Sequence, residues 1–303
     1  MRRIGMSRRG IAAATFVLAA GMAGLTFAMA SGDTITVKGS DTMVILGQRW
    51  AEEYMKERKD VTVQVTGGGS GTGIAALING TTTLANSSRP IKAEEKDAAK
   101  KNGIDVVEIK TAMDALAIVV NAANPIDHLT LKQVGMIYSG YTNNWKQVGG
   151  PDKKIIRYSR ESSSGTYAYL KENVLNNRDY AADVQTMPGT SAVAEAVAKD
   201  PNAIGYGGVA YFATNPKLKI LKVAKDEKSQ PISPLNADGR PNFEVVWSQT
   251  YPISRYLYVY SPGQPKGAAR EYLDWILGPR GQEIVEKVEY VPMPGHAQQA
   301  ASN

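Results

Sequence analysis

The residues best suited to chemistry in this chain are hydroxyls and glycines gathered in short turns. The most prominent turn is Arg160-Glu161-Ser162-Ser163-Ser164-Gly165-Thr166, which follows a strand-like run and precedes a helical pattern. Such a turn presents free backbone N–H groups at the positive end of a helix, where anions bind readily. Arg160 adds a permanent charge and a planar fork of donors that suits a tetrahedral oxyanion. The stretch therefore predicts an anion site.

The same chemistry recurs between other strand-like and helical runs. Ser70-Gly71-Thr72 repeats the tripeptide, Ser40-Asp41-Thr42 occupies the same kind of position, and Ser87-Ser88-Arg89 lies in a further turn at a strand end. Ser, Gly and Thr are also ordinary N-cap residues, so one such turn alone is more typical of capping than of ligand binding. Their recurrence favours the interpretation that they are parts of one site.

The elements around these turns predict an α/β protein with two lobes. Strands alternating with helices imply two parallel-rich sheets with helices on both faces, and ligands lie at the carboxyl ends of such strands. Two apolar strands, near 115–120 and 256–260, are the expected crossing segments. Lobe 1 would comprise 31–117 and 246–303, and lobe 2 would comprise 118–245. Three donor-rich turns of lobe 1 would then face the Arg160 turn of lobe 2 across a cleft.

Local patterns predict several of the individual elements. Leu46, Trp50 and Tyr54 recur at the spacing of one apolar helix face. A helix is expected from Leu129 to Tyr138 with Thr130 as its cap, and separate strands are expected at 106–109 and 115–120. A single strand is expected at 218–223.

The N-terminus has the pattern of a cleavable signal peptide over residues 1–30. Four arginines precede an apolar, alanine-rich stretch that ends at Ala28-Met29-Ala30. A membrane anchor is the alternative, but the apolar stretch is short. Without these residues the chain carries 31 basic and 29 acidic residues, so no basic face for nucleic acid is implied. The chain has no cysteine, which excludes disulfides and a lipid attachment site. We therefore expect a free periplasmic protein, not a lipoprotein.

Five motifs occur in order between about residue 33 and residue 294. They are Val37-Lys38-Gly39-Ser40-Asp41-Thr42-Met43, Gly67-Gly68-Gly69-Ser70-Gly71-Thr72-Gly73, Ser87-Ser88-Arg89-Pro90-Ile91, the Arg160–Thr166 turn and Tyr251-Pro252-Ile253-Ser254-Arg255. Together they resemble the phosphate-binding proteins of ABC phosphate transporters, and the resemblance rests on the combination, since no single motif is specific. The resemblance implies the type II two-lobed periplasmic binding-protein fold.

The resemblance also implies a ligand, its binding residues and a partner. Inorganic phosphate, as hydrogen phosphate, would be bound in the cleft by a monomer and delivered to the permease subunits of an ABC transporter in the inner membrane. It implies no cofactor, no metal and no catalytic residue. The phosphate-binding residues carried over from the family are Ser40, Asp41, Thr42, Ser70, Ser88, Arg89, Arg160, Ser164, Gly165 and Thr166.

The chain departs from the family pattern in the third turn. Well-known members carry an aspartate there that accepts the proton of hydrogen phosphate and so rejects sulfate, whereas this chain has Arg89. Asp41 is a candidate to take over the role of proton acceptor. An alternative is a structural ion pair between Asp41 and Arg89, because buried charges need partners. Arg160 has a similar alternative, an ion pair with neighbouring Glu161.

Two other functions compete with phosphate capture. A secreted phosphatase or hydrolase would need a general base near the serines, and the two histidines, His128 and His296, lie in a predicted turn and in the tail. No nucleophile elbow, histidine cluster or Walker lysine occurs in the sequence. The second competitor keeps the fold and binds sulfate or another tetrahedral oxyanion.

Overall fold

Strands and helices alternate along most of the chain, as the sequence patterns predict. The structure, a computed structural model, describes residues 32–295. The predicted signal peptide, its cleavage site and His296 lie outside these described residues. Within them, no helix joins the length to the apolar character that a membrane span requires.

Residues 32–295 contain eleven strands and nine α-helices, numbered here in chain order. The strands are β1 (Asp33–Gly39), β2 (Val61–Thr66), β3 (Leu84–Ser87), β4 (Val107–Asn121), β5 (His128–Thr130), β6 (Ile156–Arg160), β7 (Gln185–Met187), β8 (Ala203–Gly208), β9 (Leu218–Ile220), β10 (Lys222–Ala224) and β11 (Ser254–Ser261). The helices are α1 (Val44–Glu57), α2 (Ser70–Ile78), α3 (Ala93–Lys101), α4 (Leu131–Tyr138), α5 (Gly165–Asn173), α6 (Thr190–Lys199), α7 (Phe243–Trp247), α8 (Gly267–Leu277) and α9 (Pro279–Lys287).

One mixed sheet runs through the molecule in the order β2-β1-β3-β11-β4-β8-β6-β7, with β9 also paired to β4. The outer strands are parallel: β1 pairs with β2 and β3, and β6 pairs with β7 and β8. The central strands β11 and β4 are antiparallel to their neighbours. The α/β prediction is confirmed, and its parallel-rich sheets are the outer parts of one continuous mixed sheet.

Strand β4 belongs to both halves of this sheet. Residues 107–115 pair with β11, and residues 116–120 pair with β8. The prediction of two separate strands here was wrong, because 107–121 is one strand of 15 residues. We call the part that holds β1, β2, β3 and β11 the first lobe, and the part that holds β6, β7, β8 and β9 the second lobe. We propose that the first crossing between lobes is this change of partner along β4.

The pairing of β11 and the packing after α7 indicate where the second crossing lies. Strand β11 pairs only with β3 and with the first part of β4, so 256–260 is an interior strand of the first lobe. Val246, Tyr251 and Ile253 pack in the hydrophobic core of the second lobe. The chain thus returns at about residue 253, after α7. We propose that the second lobe extends to this residue and not to 245.

The predicted apolar face of α1 and the predicted cap of α4 are both present in the structure. Leu46, Trp50 and Tyr54 are buried on one face of α1, as predicted, in the core of the first lobe. The Trp50 indole also donates a hydrogen bond to the carbonyl of Gly281, at 2.8 Å. Thr130 caps α4, as predicted, through a 3.1 Å bond from the Gln133 N–H to its hydroxyl.

Two short segments differ from the sequence predictions. Residues 128–130 are strand β5, which pairs with β10, so the helix begins only at Leu131. The strand expected at 218–223 is two strands with different partners, since β9 pairs with β4 and β10 with β5. Local β patterns carry no information about such a change of partner.

Candidate anion-binding site

The four donor-rich turns all follow the carboxyl ends of strands. Ser40 follows β1 and precedes a short 3₁₀ turn at Asp41–Met43. Ser70 opens α2 after β2, and Ser88 follows β3. In the second lobe, Arg160 ends β6 and α5 begins at Gly165. Because β1, β2 and β3 are parallel, their three turns meet at one edge of the first lobe's sheet.

Five hydroxyls from these turns form one buried, hydrogen-bonded cluster. Ser40 Oγ donates to Ser88 Oγ at 3.0 Å, and Ser70 Oγ accepts the Ser88 N–H at 3.1 Å. Across the lobes, Thr42 Oγ1 lies 2.8 Å from Thr166 Oγ1, and Ser88 Oγ lies 3.5 Å from the same atom. All five residues are at most 2% exposed. Hydroxyls that satisfy one another in this way can each donate to an anion instead.

The N-terminus of α5 lies directly against this cluster. Ser164 caps the helix, because its Oγ accepts the N–H of Thr166 at 3.2 Å. A methyl group on Gly165 would lie 2.3 Å from Ser70 Oγ and 2.8 Å from Ser88 Oγ. The Gly71 N–H donates to the Ser163 carbonyl at 2.9 Å, which joins the first turn of α2 to the residues just before α5. The two lobes therefore lie in close contact at Gly165.

Arg160 links the lobes by an ion pair and leaves one buried donor free. Its Nη2 donates to Asp41 Oδ2 and its Nη1 to Thr190 Oγ1, each at 2.7 Å. The other Asp41 oxygen accepts the Gly68 N–H at 2.8 Å. Within residues 32–295, Arg160 Nε is buried and has no hydrogen-bond partner. Burial lowers the pKa of the guanidinium, and the Asp41 carboxylate opposes that shift.

Arg89 is turned toward another carboxylate. Its Nη1 and Nη2 donate to the two oxygens of Glu95 at 2.8 and 2.6 Å, and Nη1 also donates to the Pro90 carbonyl. Asp41 pairs with Arg160, so the ion pairs considered between Asp41 and Arg89 and between Arg160 and Glu161 are not the ones formed. The structure therefore brings nine of the ten predicted residues together, and Arg89 makes its contacts beside them.

Sequence reasoning missed a third ion pair next to the cluster. Arg255 Nη2 donates to Asp114 Oδ2 at 2.7 Å, and Asp114 is completely buried. Burial raises the pKa of the Asp114 carboxyl, and Arg255 opposes that rise. A signal was present, because Asp114 is a single charge inside an apolar run and a buried charge needs a partner. Thr190, which binds Arg160, and Tyr211, whose hydroxyl donates to the Asp41 carbonyl at 2.6 Å, left no such signal.

The electrostatics of the site are close to neutral, because a carboxylate accompanies each buried arginine around it. The pairs are Arg160 with Asp41, Arg89 with Glu95, and Arg255 with Asp114. An anion in this site would depend on local donors more than on net charge. Among the described residues, no group of three or more His, Cys, Asp or Glu side chains is arranged to hold a metal ion. His128 is exposed at the start of β5, in a strand and not the predicted turn.

Comparison with known proteins gives the fold and family. Residues 28–280 match the family model described as a PBP superfamily domain. The chain is 33% identical to the phosphate-binding protein PstS of Pseudomonas aeruginosa, over 96% of this chain and 94% of that protein.

Solved structures agree with this result. One, assigned as a phosphate ABC transporter substrate-binding protein of Clostridium perfringens and solved with bound phosphate, has a TM-score of 0.74 at 27% identity and covers 86% of this chain and 100% of its own. An ABC-type phosphate transport receptor of Vibrio cholerae has a TM-score of 0.67 at 26% identity, with the same coverage. The two-lobed fold that the motifs imply is confirmed. The chain belongs to the PBP superfamily and, within it, to the family of the phosphate-binding PstS proteins.

Proposed function

We propose that this protein captures inorganic phosphate between its lobes and delivers it to an ABC-type phosphate importer. The observation that carries the proposal is the buried cluster of five hydroxyls, which comes from both lobes and meets the N-terminus of α5. Its relatives are described as phosphate-binding and phosphate-transport proteins. The ten residues predicted from the motifs remain our proposed binding set, with Arg89 in an outer position.

The donors in this cluster suit a tetrahedral anion. Each hydroxyl that now bonds to a neighbouring hydroxyl can rotate its proton toward a phosphate oxygen. Arg160 Nε is a buried donor without a partner, so an anion oxygen would satisfy it. Charge-assisted hydrogen bonds in a site without water replace the hydration that the anion loses on entering.

Binding would be coupled to closure of the lobes. Thr42 and Ser88 belong to the first lobe, and Thr166 belongs to the second. A ligand that contacts both sides stabilises the closed form over an open one, by its difference in affinity for the two. The closed form is then the state that we propose docks on the permease subunits in the inner membrane.

The same proposal extends to location and chemistry. We infer export to the periplasm by the N-terminal signal, action as a monomer, and binding without catalysis. The relatives are binding proteins. His128 lies away from the hydroxyl cluster, on an exposed strand, which leaves the serines without a general base from this residue.

Calorimetric titration of the protein, stripped of bound anion, tests the proposal. We expect one phosphate per chain, bound tightly and undisturbed by a large excess of sulfate. Binding of sulfate in place of phosphate would support the second candidate, a carrier of another oxyanion. Heat with neither anion would refute the proposed function and leave the fold unaffected.

A further inference from the structure

A buried ion pair lies where the two halves of the sheet join. Asp114 on β4 and Arg255 on β11 are directly opposite each other in the antiparallel ladder. Arg255 donates from Nε and Nη2 to Asp114 Oδ2, at 3.0 and 2.7 Å. Two residues after Asp114, strand β4 changes its partner from β11 to β8. The pair therefore lies at the crossing between the lobes.

The remaining polar atoms of the pair reach one segment of each lobe. Arg255 Nη1 donates to the carbonyl oxygen of Ser88 at 3.3 Å, so it contacts the third donor-rich turn of the first lobe. Asp114 Oδ1 accepts the N–H of Val209 at 3.2 Å, and Val209 directly follows β8 in the second lobe. One ion pair thus spans the Ser88 turn, the crossing strand and the second lobe.

A third contact ties the pair to the helix at the anion site. The Tyr169 ring on α5 lies 5.5 Å from the guanidinium carbon of Arg255, within the range of a cation–π contact. The Tyr169 hydroxyl donates to the carbonyl of Ser254 at 2.9 Å. Helix α5 carries Gly165 and Thr166 at its N-terminus, so a movement of this helix would change the contacts of Tyr169 with Ser254 and Arg255.

Stability alone is a poor explanation for a pair in this position. A buried ion pair loses its hydration, and well-packed apolar residues of similar volume are often as stable or more so. Both side chains are at most 4% exposed, so that loss is nearly complete here. What an apolar pair could not supply is the directed hydrogen bonds to Ser88 and Val209.

We propose that Asp114 and Arg255 are positioning residues that couple closure of the lobes to the orientation of the Ser88 turn. Neither residue touches the anion. A movement of the second lobe would shift Asp114 through its hydrogen bond with Val209. Arg255, which is paired with Asp114, would then shift the Ser88 turn. The N–H and hydroxyl of Ser88 face Ser70, Ser40 and Thr166. This inference rests on the proposed function, because it concerns the same site.

The test compares Arg255→Lys with Arg157→Lys. Lysine at position 255 keeps the charge next to Asp114. Its ammonium group lacks the planar guanidinium donors that bind Asp114 and Ser88 at the same time. Arg157 is an equally buried arginine within the second lobe, where it pairs with Asp183 at 2.9 Å and donates to the Thr142 carbonyl at 2.7 Å. Arg157 makes no contact with Ser88, Val209 or Tyr169, so Arg157→Lys measures the general effect of losing a buried guanidinium group.

Three quantities separate positioning from general structure: phosphate affinity, the unfolding midpoint, and the phosphate-induced decrease in radius of gyration by small-angle scattering. For Arg255→Lys we expect about a tenfold loss of affinity and a smaller decrease in radius at saturating phosphate. For Arg157→Lys we expect a lower unfolding midpoint with unchanged affinity and closure. Tyr169→Phe, which removes only the hydroxyl bond to Ser254, provides a milder variant should Arg255→Lys not fold, and it should show a reduced decrease in radius.

The possible results are distinguishable. Wild-type affinity and closure in Arg255→Lys, or, where that variant does not fold, in Tyr169→Phe, would overturn the positioning role and leave phosphate capture intact. An equal loss of affinity in Arg157→Lys would also overturn it, because the effect would then follow stability. A wild-type protein that binds no phosphate would refute the proposed function before either variant is considered.

Discussion

We propose that ligand selectivity depends most directly on Asp41. Its two carboxylate oxygens accept from the Gly68 N–H and from Arg160, and its side chain keeps 19% of its surface exposed. Each carboxylate oxygen has a further lone pair, so the group can still accept a proton from hydrogen phosphate. Sulfate has no proton to offer at neutral pH and would face repulsion from the carboxylate.

Asp41→Asn should therefore weaken discrimination between the two anions. We expect phosphate affinity to fall about tenfold or more, and sulfate to compete where it did not before. Competition calorimetry at neutral pH measures both effects. Glu95→Gln is the matched control, since it also changes a carboxylate beside a buried arginine to an amide, and it should leave selectivity unchanged. Selectivity that survives Asp41→Asn would assign Asp41 a purely structural role.

Tyr206 provides a prediction about alkaline stability. Burial raises the pKa of its hydroxyl to about 12, although hydrogen bonds with Ser159 and Tyr180 moderate the rise. In the unfolded chain the same group ionises near pH 10. Between pH 10 and 12 the folded protein retains a proton that the unfolded chain releases, so stability present below pH 10 is lost as the pH rises. The loss from this residue reaches about 2 kcal/mol at pH 12.

Urea unfolding between pH 9 and 11.5 measures this effect. Tyr206→Phe should be less stable at neutral pH, where its hydrogen bonds are lost, and should show a flatter decline with pH. Tyr141→Phe is the control, because Tyr141 is 64% exposed and its removal should leave the slope unchanged. Equal slopes for wild type and Tyr206→Phe would show that other groups dominate the alkaline transition.

Helices α4 and α5 have chemically similar N-caps, but only the cap of α5 lies next to the hydroxyl cluster. Ser164 accepts the Thr166 N–H at the anion site, and Thr130 accepts the Gln133 N–H on α4. Ser164→Ala and Thr130→Ala should each lower the unfolding free energy by about 1 kcal/mol. Only Ser164→Ala should also reduce phosphate affinity, since it loosens the N–H groups that face the cluster. Calorimetry and urea unfolding of both variants check this, and matched affinities would argue against a binding role for the start of α5.

Gly165 tests the close approach of α5 to the first lobe. An added methyl group would lie 2.3 Å from Ser70 Oγ. This is too close for a carbon and an oxygen that are not bonded, so α5 or the Ser70 turn would have to move. Gly165→Ala should lower phosphate affinity about ten- to a hundredfold, because it opposes the closed form. The unfolding midpoint without phosphate should change little if the lobes can separate. Unchanged affinity would mean that phosphate binds without this contact.

At the scale of the whole molecule, the closed arrangement predicts a distance change on binding. The chain has no cysteine, so single fluorophores can be placed by substitution. Lys92 and Glu172 face each other between the lobes, with Nζ and Oε1 3.9 Å apart. Labels on Lys92→Cys/Glu172→Cys should approach each other when phosphate is added, and contact quenching between the two fluorophores should rise.

A second labelled pair controls for general effects of the anion. Lys132 and Glu227 lie 3.3 Å apart and are both in the second lobe, so labels on Lys132→Cys/Glu227→Cys should report no change. Quenching that rises equally in both pairs, or in neither, would contradict closure by hinge motion. Sulfate at the same concentration should leave the first pair unchanged.

The classes of elements and the turns that carry the donors follow from local patterns in the amino-acid sequence. Period-2 and period-3.6 patterns are local, so α1, α4 with its Thr130 cap, and the strands before each donor-rich turn could be predicted. The hydroxyl chemistry of Ser40, Ser70, Ser88 and Thr166 was visible for the same reason. Parallel strands bring their carboxyl ends together, which made their convergence predictable.

Which charged side chains form ion pairs depends on the three-dimensional fold. Asp41 lies 119 positions from Arg160 and Asp114 lies 141 from Arg255, and no local pattern chooses between such distant partners. The ion pair of Asp41 and Arg89, considered as an alternative, does not form, because both terminal nitrogens of Arg89 donate to Glu95, six residues further on. The course of β4 through both lobes was hidden likewise, since pairing depends on strands far away in the chain. Ion pairs and strand partners are chosen by proximity in space, which sequence spacing alone does not encode.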